Sequence, residues 1–209
     1  MIKVLIADDH PVVRMGLKFI LENEADISVY DEARTAREAL ELIRNTKFDV
    51  ILLDISLPDR NGLDVLEQIK RDHAGMNVLI ISIYPESLYA VRVLKAGAAG
   101  YMTKDSAPEE LIRAVRKVVA GGKYVSPSLA EKLAQDLGDN SSSTPDEALS
   151  NREFQVLCMI AMGKTIKEIS NELFLSEKTV STYRARILQK MNMKTNAELI
   201  NYSIKHELV

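Results

Sequence analysis

Four of the short apolar runs in the first half of the chain end on a side chain able to do chemistry. Asp8 and Asp9 follow Ile6-Ala7, Asp54 follows Leu52-Leu53, Ser82 follows Ile80-Ile81, and Lys104 follows Met102-Thr103. Three carboxylates held together repel one another and suit a hard divalent cation, and Mg2+ takes one or two carboxylates with water and a phosphate oxygen. A carboxylate, a metal and an ammonium together describe phosphoryl transfer, in which Asp attacks phosphorus while the cations neutralise charge on the transferred oxygens. Any one of these residues alone reads as an ordinary surface charge or strand-end polar group. Their matched positions after strand-like runs argue for one site.

Such a site requires a scaffold that brings distant strand ends together. Apolar runs at 4–7, 27–30, 50–53, 78–81 and 100–103 alternate with helical spacing at 11–23, 35–45, 62–72, 86–96 and 107–120. Five βα units result, and strands this apolar must be covered on both faces, so the fold class is α/β with a doubly wound five-stranded parallel sheet. Ligands in such sheets bind beyond the carboxyl ends of the strands, where strand order reverses. Ser106-x-x-Glu109 predicts a capping box for the fifth helix, and Ser126-Pro127 predicts a short helix over 128–137. Residues 138–147 carry no apolar side chain and read as a linker.

Past the linker the strand signal ends. Ser150-x-x-Glu153, Thr165-x-x-Glu168 and Thr195-x-x-Glu198 predict capped helix starts, and Ser176 offers a fourth cap. Met162-Gly163 ends the first helix, and Phe174-Leu175 links the second to the third as a helix-turn-helix needs. The expected organisation is residues 1–122 as the α/β domain, 123–148 as connecting helix and linker, and 149–209 as a smaller all-α domain.

The composition fits this picture. The 209 residues are 46% hydrophobic and 27% charged, near the globular average. One cysteine cannot form an internal disulfide, and no apolar run is long enough to span a bilayer, so no membrane role is expected. Met1-Ile2-Lys3 leads straight into a strand without a signal-peptide pattern, which makes the cytoplasm the expected compartment. The net charge of −3 divides unevenly: residues 1–130 carry −2, residues 131–148 carry −4 and residues 149–209 carry +3. That excess is too small to establish nucleic-acid binding without a motif.

The segments Ile6-Ala7-Asp8-Asp9-His10-Pro11, Leu53-Asp54-Ile55-Ser56-Leu57-Pro58, Ile80-Ile81-Ser82 and Gly100-Tyr101-Met102-Thr103-Lys104-Asp105 resemble the receiver domain of two-component response regulators. With the helical segment described next, the resemblance is to the NarL/FixJ class and covers nearly the whole chain. It implies a flavodoxin-like receiver in which Asp54 is the phosphoacceptor. Asp8 and Asp9 would support Mg2+ with the Ser56 backbone carbonyl, and Asp9 would be the more direct ligand. Lys104 would contact the phosphoryl group, Ser82 would be the hydroxyl that moves to it, and Tyr101 the aromatic whose rotamer reports the switch. Two positions depart from the family pattern. Ile83 stands where a small residue is common, which bears on access and dephosphorylation. Asp105 stands where Pro is common, so a cis bond there would carry a non-proline penalty of about 3 kcal/mol.

Residues 176–191 carry the strongest helix signal, with Val180, Tyr183, Ile187 and Met191 on one side and Lys178, Thr182, Ala185 and Gln189 on the other, flanked by Ser181 and Arg186. Small polar groups edged by cations suit a major groove. By itself this would be a solvated helix face. The surrounding Leu149-Ser150-x-Arg152-Glu153, Gly163-x-Thr165-x-x-Glu168-Ile169 and Leu175-Ser176-x-Lys178-Thr179-Val180-Ser181 resemble the LuxR-type DNA-binding domain. The resemblance implies phosphate contacts by Thr179, Tyr183, Arg186 and Lys190, and base-edge positions at Ser181, Thr182 and Ala185, with Lys178 on the same face. Alanine reaches only a thymine methyl, which leaves room for readout of DNA shape. Arg184 sits near the core side and calls for a phosphate reached by snorkelling or an internal ion pair. The last helix, 196–206, is implied as a dimer contact through Leu199, Ile200 and Ile204, with packing inside its own domain the alternative.

Cys158 reads as a buried structural thiol, and His10, His73 and His206 have no zinc-ligand spacing among them. Gly97-Ala98-Ala99-Gly100 falls after a helix and reads as a helix end rather than a phosphate loop. The leading expectation is a transcription regulator controlled by phosphorylation of Asp54. Its implied partners are a cognate sensor histidine kinase, double-stranded DNA, RNA polymerase and a second copy at least when phosphorylated. It would be no enzyme beyond promoting its own phosphoryl transfer and dephosphorylation. A haloacid-dehalogenase-type phosphotransferase is the first alternative, weakened because Asp54-Ile55-Ser56 lacks the second carboxylate needed as general acid. A regulator that ignores phosphate, with Ile83 occluding the site, is the second.

Overall fold

The computed structural model describes residues 1–127, 129–131, 144–206 and 208. The chain divides into two compact units, Met1–Ala130 and Glu131–Val209.

In the first unit, β1 (Ile2–Ala7), β2 (Ile27–Ala33), β3 (Val50–Leu53), β4 (Asn77–Ser82) and β5 (Gly100–Thr103) alternate with α1 (Pro11–Glu22), α2 (Ala36–Asn45), α3 (Gly62–Asp72), α4 (Glu86–Lys95) and α5 (Pro108–Val119). The strands form one parallel sheet in the order β2-β1-β3-β4-β5. The core fills both faces: Val4, Ile6, Val50, Leu52, Leu79 and Ile81 join Leu111, Ala114, Val115 and Val118 of α5 in one cluster, while Leu5, Ile51 and Ile80 are equally buried. Strand order reverses between β1 and β3, and Ala7 pairs with Leu53 there, so the residues that follow lie level with each other.

Local chemistry departs from expectation in three places. β2 runs to Ala33, beyond the expected 30, with a register shift against β1 between Val4 and Leu5. The capping box expected at Ser106 is not formed. Ala107 takes the N-cap ahead of Pro108 without a side-chain bond, and Ser106 Oγ lies 3.2 Å from Thr103 Oγ1 instead. Residues 145–148, expected in the linker, form a 3-10 turn, and Tyr202 donates its hydroxyl hydrogen to Asp146 within it. Of the helix expected over 128–137, residues 129–131 are helical, capped by Ser126 Oγ accepting from Leu129 N–H at 3.1 Å; residues 132–143 lie outside the described residues. Gly97 ends α4 at φ +97°, as expected of a helix end.

The second unit packs α6 (Asn151–Ala161), α7 (Ile166–Glu172), α8 (Glu177–Lys190) and α9 (Asn196–Lys205). Ser150 with Glu153 and Thr165 with Glu168 each form both bonds of a capping box. At α9 only the Thr195 half forms, because Glu198 accepts from Lys194 N–H. Val156, Leu157, Cys158, Ile169, Val180, Ile187 and Leu199 make the core.

Candidate phosphoryl site and nucleic-acid face

The sheet ladder carries the chain one residue past each strand and so fixes where the reactive groups emerge. Asp8 N–H donates to Ala33 O at 3.1 Å, Asp54 N–H to Ala7 O at 2.9 Å, and Lys104 N–H to Ser82 O at 2.8 Å. The Lys104 Nζ then lies 2.6 Å from Asp8 Oδ2 and 2.8 Å from Asp54 Oδ2. Asp8, Asp54 and Ser82 are buried, whereas Asp9 is partly open to solvent. Asp54 Oδ1 is buried without a hydrogen bond, so half of the central carboxylate is left for something else.

Burial pushes the Asp54 carboxyl above its ordinary range, and the nearby Asp8 charge adds to this against the pull of Lys104. Burial works to lower Lys104, but Asp54 and Asp8 outweigh it and raise the ammonium above its usual value. Two buried carboxylates share one ammonium, an arrangement short of positive charge. Carboxylate oxygens of Asp8, Asp9 and Asp54 and a ring nitrogen of His10 all lie within 4.8 Å of one another. This hard, oxygen-rich donor set with an unpaired buried oxygen fits Mg2+.

Two features that position Asp54 and Asp8 carry little sequence signal. A Cβ at Gly62 would fall 2.1 Å from the Asp54 carbonyl oxygen and 2.8 Å from Ile55 Cα, so only glycine lets α3 start this close to Asp54. Arg14, buried on the sheet side of α1, donates from Nη1 to the Asp8 carbonyl at 2.7 Å and from Nε to Glu32 Oε2 at 3.3 Å. Arg14 shares the inner face of α1 with Leu17 and Leu21, but a solitary arginine in a sequence names no partner. Ser82 and Tyr101 meet through a third residue: Ser82 Oγ accepts from Tyr84 N–H at 3.3 Å, and Tyr101, turned inward, donates its hydroxyl hydrogen to Tyr84 O at 2.7 Å. Ile83 is 59% exposed. Among the described residues no peptide bond is cis, so the chain passes Lys104-Asp105 in the trans form.

In α8, Val180 and Ile187 face the core with Met191 just beyond the helix, while Lys178, Ser181, Thr182, Ala185, Arg186 and Gln189 face solvent. Tyr183, expected on the core side, is half-buried and lines a shallow depression of about 280 Å³ with Lys178, Thr179, Thr182 and Arg186. Thr182 gives its hydroxyl hydrogen to Lys178 O at 2.9 Å, which leaves its oxygen and methyl for a partner. The internal partner of Arg184 is an amide, not the acid of the expected ion pair: its Nε donates to Asn196 Oδ1 at 2.6 Å and ties α8 to α9.

Lys190 is also engaged within the unit. Its Nζ lies 2.6 Å from Glu153 Oε2, and Ser150 N–H donates to that same oxygen at 2.8 Å. Burial acts to raise Glu153, but Lys190 and Ser150 outweigh it and hold the carboxyl below the usual carboxylate range. Leu199, one of the residues expected at a dimer contact, is fully buried in its own unit, and Ile204 is exposed.

Comparison with known proteins agrees with both halves. Residues 4–116 match the response regulator receiver domain, and residues 147–203 match the bacterial regulatory proteins of the luxR family. This chain belongs to the response regulators. It is 37% identical over its full length to response regulator UvrY of Escherichia coli K12, covering 96% of that protein, and 37% identical to response regulator GacA of Pseudomonas aeruginosa, covering 98%. Among solved structures it is similar to RcsB of Salmonella enterica serovar Typhimurium bound to promoter rprA in the presence of the phosphomimetic BeF3-. That likeness has TM-score 0.66 and 26% identity, over 96% of this chain and 97% of that one. The expected receiver fold and LuxR-type helical domain are thus both present, as in the NarL/FixJ class. A response regulator of this composition is a DNA-binding transcription regulator rather than a haloacid-dehalogenase-type enzyme. No described helix is long and apolar enough to cross a membrane.

Proposed function

We propose that Asp54 accepts a phosphoryl group and that the receiver uses the resulting charge to control DNA binding by the helical domain. The observation that carries this reading is the Lys104 ammonium bridging Asp8 and Asp54 while Asp54 Oδ1 stays buried without a partner. In the transfer an Asp54 oxygen attacks phosphorus, an O–P bond forms, and the donor bond breaks. The donor is a phosphohistidine of a sensor kinase or a small acyl phosphate, and its leaving group keeps the electron pair. Lys104 faces the charge developing on the phosphoryl oxygens. Mg2+, held by Asp8, Asp9, Asp54 and the Ser56 carbonyl, would supply further charge neutralisation there.

Ser82 and Tyr101 suit the switch because both hold Tyr84. If Ser82 turns to the new phosphoryl oxygens, the Tyr84 amide loses its acceptor, and the carbonyl of the same residue is the partner of Tyr101. A change at the pocket thereby reaches the start of α4. Ile83 is more exposed than an occluding residue would be, which favours this reading over a regulator that ignores phosphate. Downstream, the α8 surface of Lys178, Thr179, Ser181, Thr182, Tyr183, Ala185 and Arg186 faces DNA, and Lys190 reaches a phosphate by exchanging its Glu153 partner. Pairing of two copies on inverted half-sites would complete the reader, with Ile204 available and Leu199 not. RNA polymerase is the expected downstream partner.

The test is labelling with an acyl phosphate and Mg2+, followed by intact-mass measurement. The wild-type chain is expected to gain one phosphoryl group and bind DNA more tightly, and Asp54→Asn to do neither. Full labelling of Asp54→Asn would remove the assignment.

A further inference from the structure

The His10 imidazole has no role in the transfer just described, yet its Nδ1 is 2.7 Å from Asp9 Oδ1 and 3.2 Å from Asp8 Oδ1. The backbone that carries the ring is held there by the fold: His10 is the N-cap residue of α1, Pro11 follows it, and its backbone N–H donates to Asp8 Oδ1 at 2.8 Å. Donor atoms of Asp8, Asp9, His10 and Asp54 lie within 4.8 Å of one another. Neighbouring ligands of an octahedral ion with bonds of about 2.1 Å sit about 3 Å apart, and opposite ones about 4.2 Å. The nitrogen–oxygen separations therefore have the spacing of neighbouring ligands around a common ion.

The oxygens available are not those that Lys104 uses. Lys104 takes Asp8 Oδ2 and Asp54 Oδ2, while Asp54 Oδ1 is buried without a partner. Asp9 Oδ1 also lacks a hydrogen bond, because the nearby His10 ring nitrogen is not aligned with it. Carboxylate and water donors suit Mg2+, whereas an imidazole nitrogen raises affinity for the later first-row ions far more than for Mg2+.

We infer that His10 Nδ1 is a further protein ligand, beside Asp8, Asp9, Asp54 and the Ser56 carbonyl, that makes this acidic site a binding site for late first-row divalent ions, of the Co2+, Ni2+ and Zn2+ class, in competition with Mg2+. The inference rests on the reading of Asp8, Asp9 and Asp54 as the metal site. The ring is 58% exposed, so its neutral form can turn Nδ1 to the ion and keep the Nε2 hydrogen in water.

The experiment is calorimetric titration of the full-length protein with CoCl2 and, separately, MgCl2, for wild type and His10→Gln. The 15N spectrum of the histidine rings with and without Zn2+ provides a second measurement on the unaltered chain. Co2+ is expected to bind wild type at least about tenfold more tightly than Mg2+. His10→Gln should lose at least about tenfold in Co2+ affinity with Mg2+ affinity within about twofold, and Zn2+ should shift Nδ1 of His10. Equal losses for both metals in His10→Gln, or unchanged Co2+ binding with no His10 shift, would overturn the inference while leaving the Mg2+ site in place. Failure of wild type to bind either metal would remove the underlying reading as well.

Discussion

Lys190 tests the structure most sharply, because its surface position suggests a phosphate contact while its partner is a buried carboxylate. In Lys190→Met, Glu153 keeps Ser150 as a donor and loses its cationic neighbour. Breaking a fully buried pair costs about 3–5 kcal/mol and an exposed pair about 0.2–1 kcal/mol. The Glu153 side chain is 4% exposed and that of Lys190 is 40% exposed, which places the loss between these limits, near about 1–2 kcal/mol after solvent screening. For a domain of this size that lowers the melting temperature by roughly 5–10 °C. Glu153 has a depressed folded-state pKa, so its contribution is present above the unfolded carboxylate value and is lost as pH falls through the folded one. The gap between wild type and Lys190→Met should be full at neutral pH and close in acid. Thermal and urea unfolding across pH, with Glu153→Gln and the double variant completing the cycle, measures the coupling. A Lys190→Met protein as stable as wild type at neutral pH, with zero coupling to Glu153, would refute the reasoning and leave Lys190 as a phosphate ligand only.

Gly62→Ala is expected to destabilise the first unit by about 1–3 kcal/mol through overpacking against Asp54 and to slow labelling by an acyl phosphate; urea unfolding and intact-mass kinetics report the two effects. Phe174 occupies the turn between α7 and α8 at φ +53° with its ring largely exposed, so Phe174→Gly should stabilise the second unit by roughly 0.5–1 kcal/mol, read as a higher urea midpoint. Asp54 has a raised folded-state pKa, so the stability linked to its proton is complete below the unfolded value and disappears as pH rises through the folded one. Asp54→Asn is therefore expected to unfold at higher urea than wild type at neutral pH and to lose that advantage in acid; an advantage independent of pH would contradict the linkage.

Strand ends were legible because apolar runs and the polar residues that stop them are local facts, and the parallel sheet converts those ends into one place. Helix caps were less so. Ser106-x-x-Glu109 has the right residues, but Pro108 fixes the start of α5 one residue later and draws Ser106 toward Thr103. Arg14, Gly62 and Tyr84 were missed for a shared reason: each acts through a main-chain group, the carbonyl of Asp8, that of Asp54, or its own amide and carbonyl, and neither hydropathy nor spacing encodes such a contact. Arg184 and Lys190 show the complementary difficulty. A helical wheel gives the direction of a cation, whereas Asn196 and Glu153 come from other helices.

The order of the strands has a consequence for the newborn chain. Asp8 and Asp54 are delivered by neighbouring strands β1 and β3, but Lys104 follows β5, an edge strand and the last to be synthesised. Until that four-residue edge docks, the nascent sheet holds two acids side by side with no ammonium between them. Electrostatic attraction toward Lys104 then favours closure of the final strand, so the ion pairs of the finished pocket also help the receiver finish assembling.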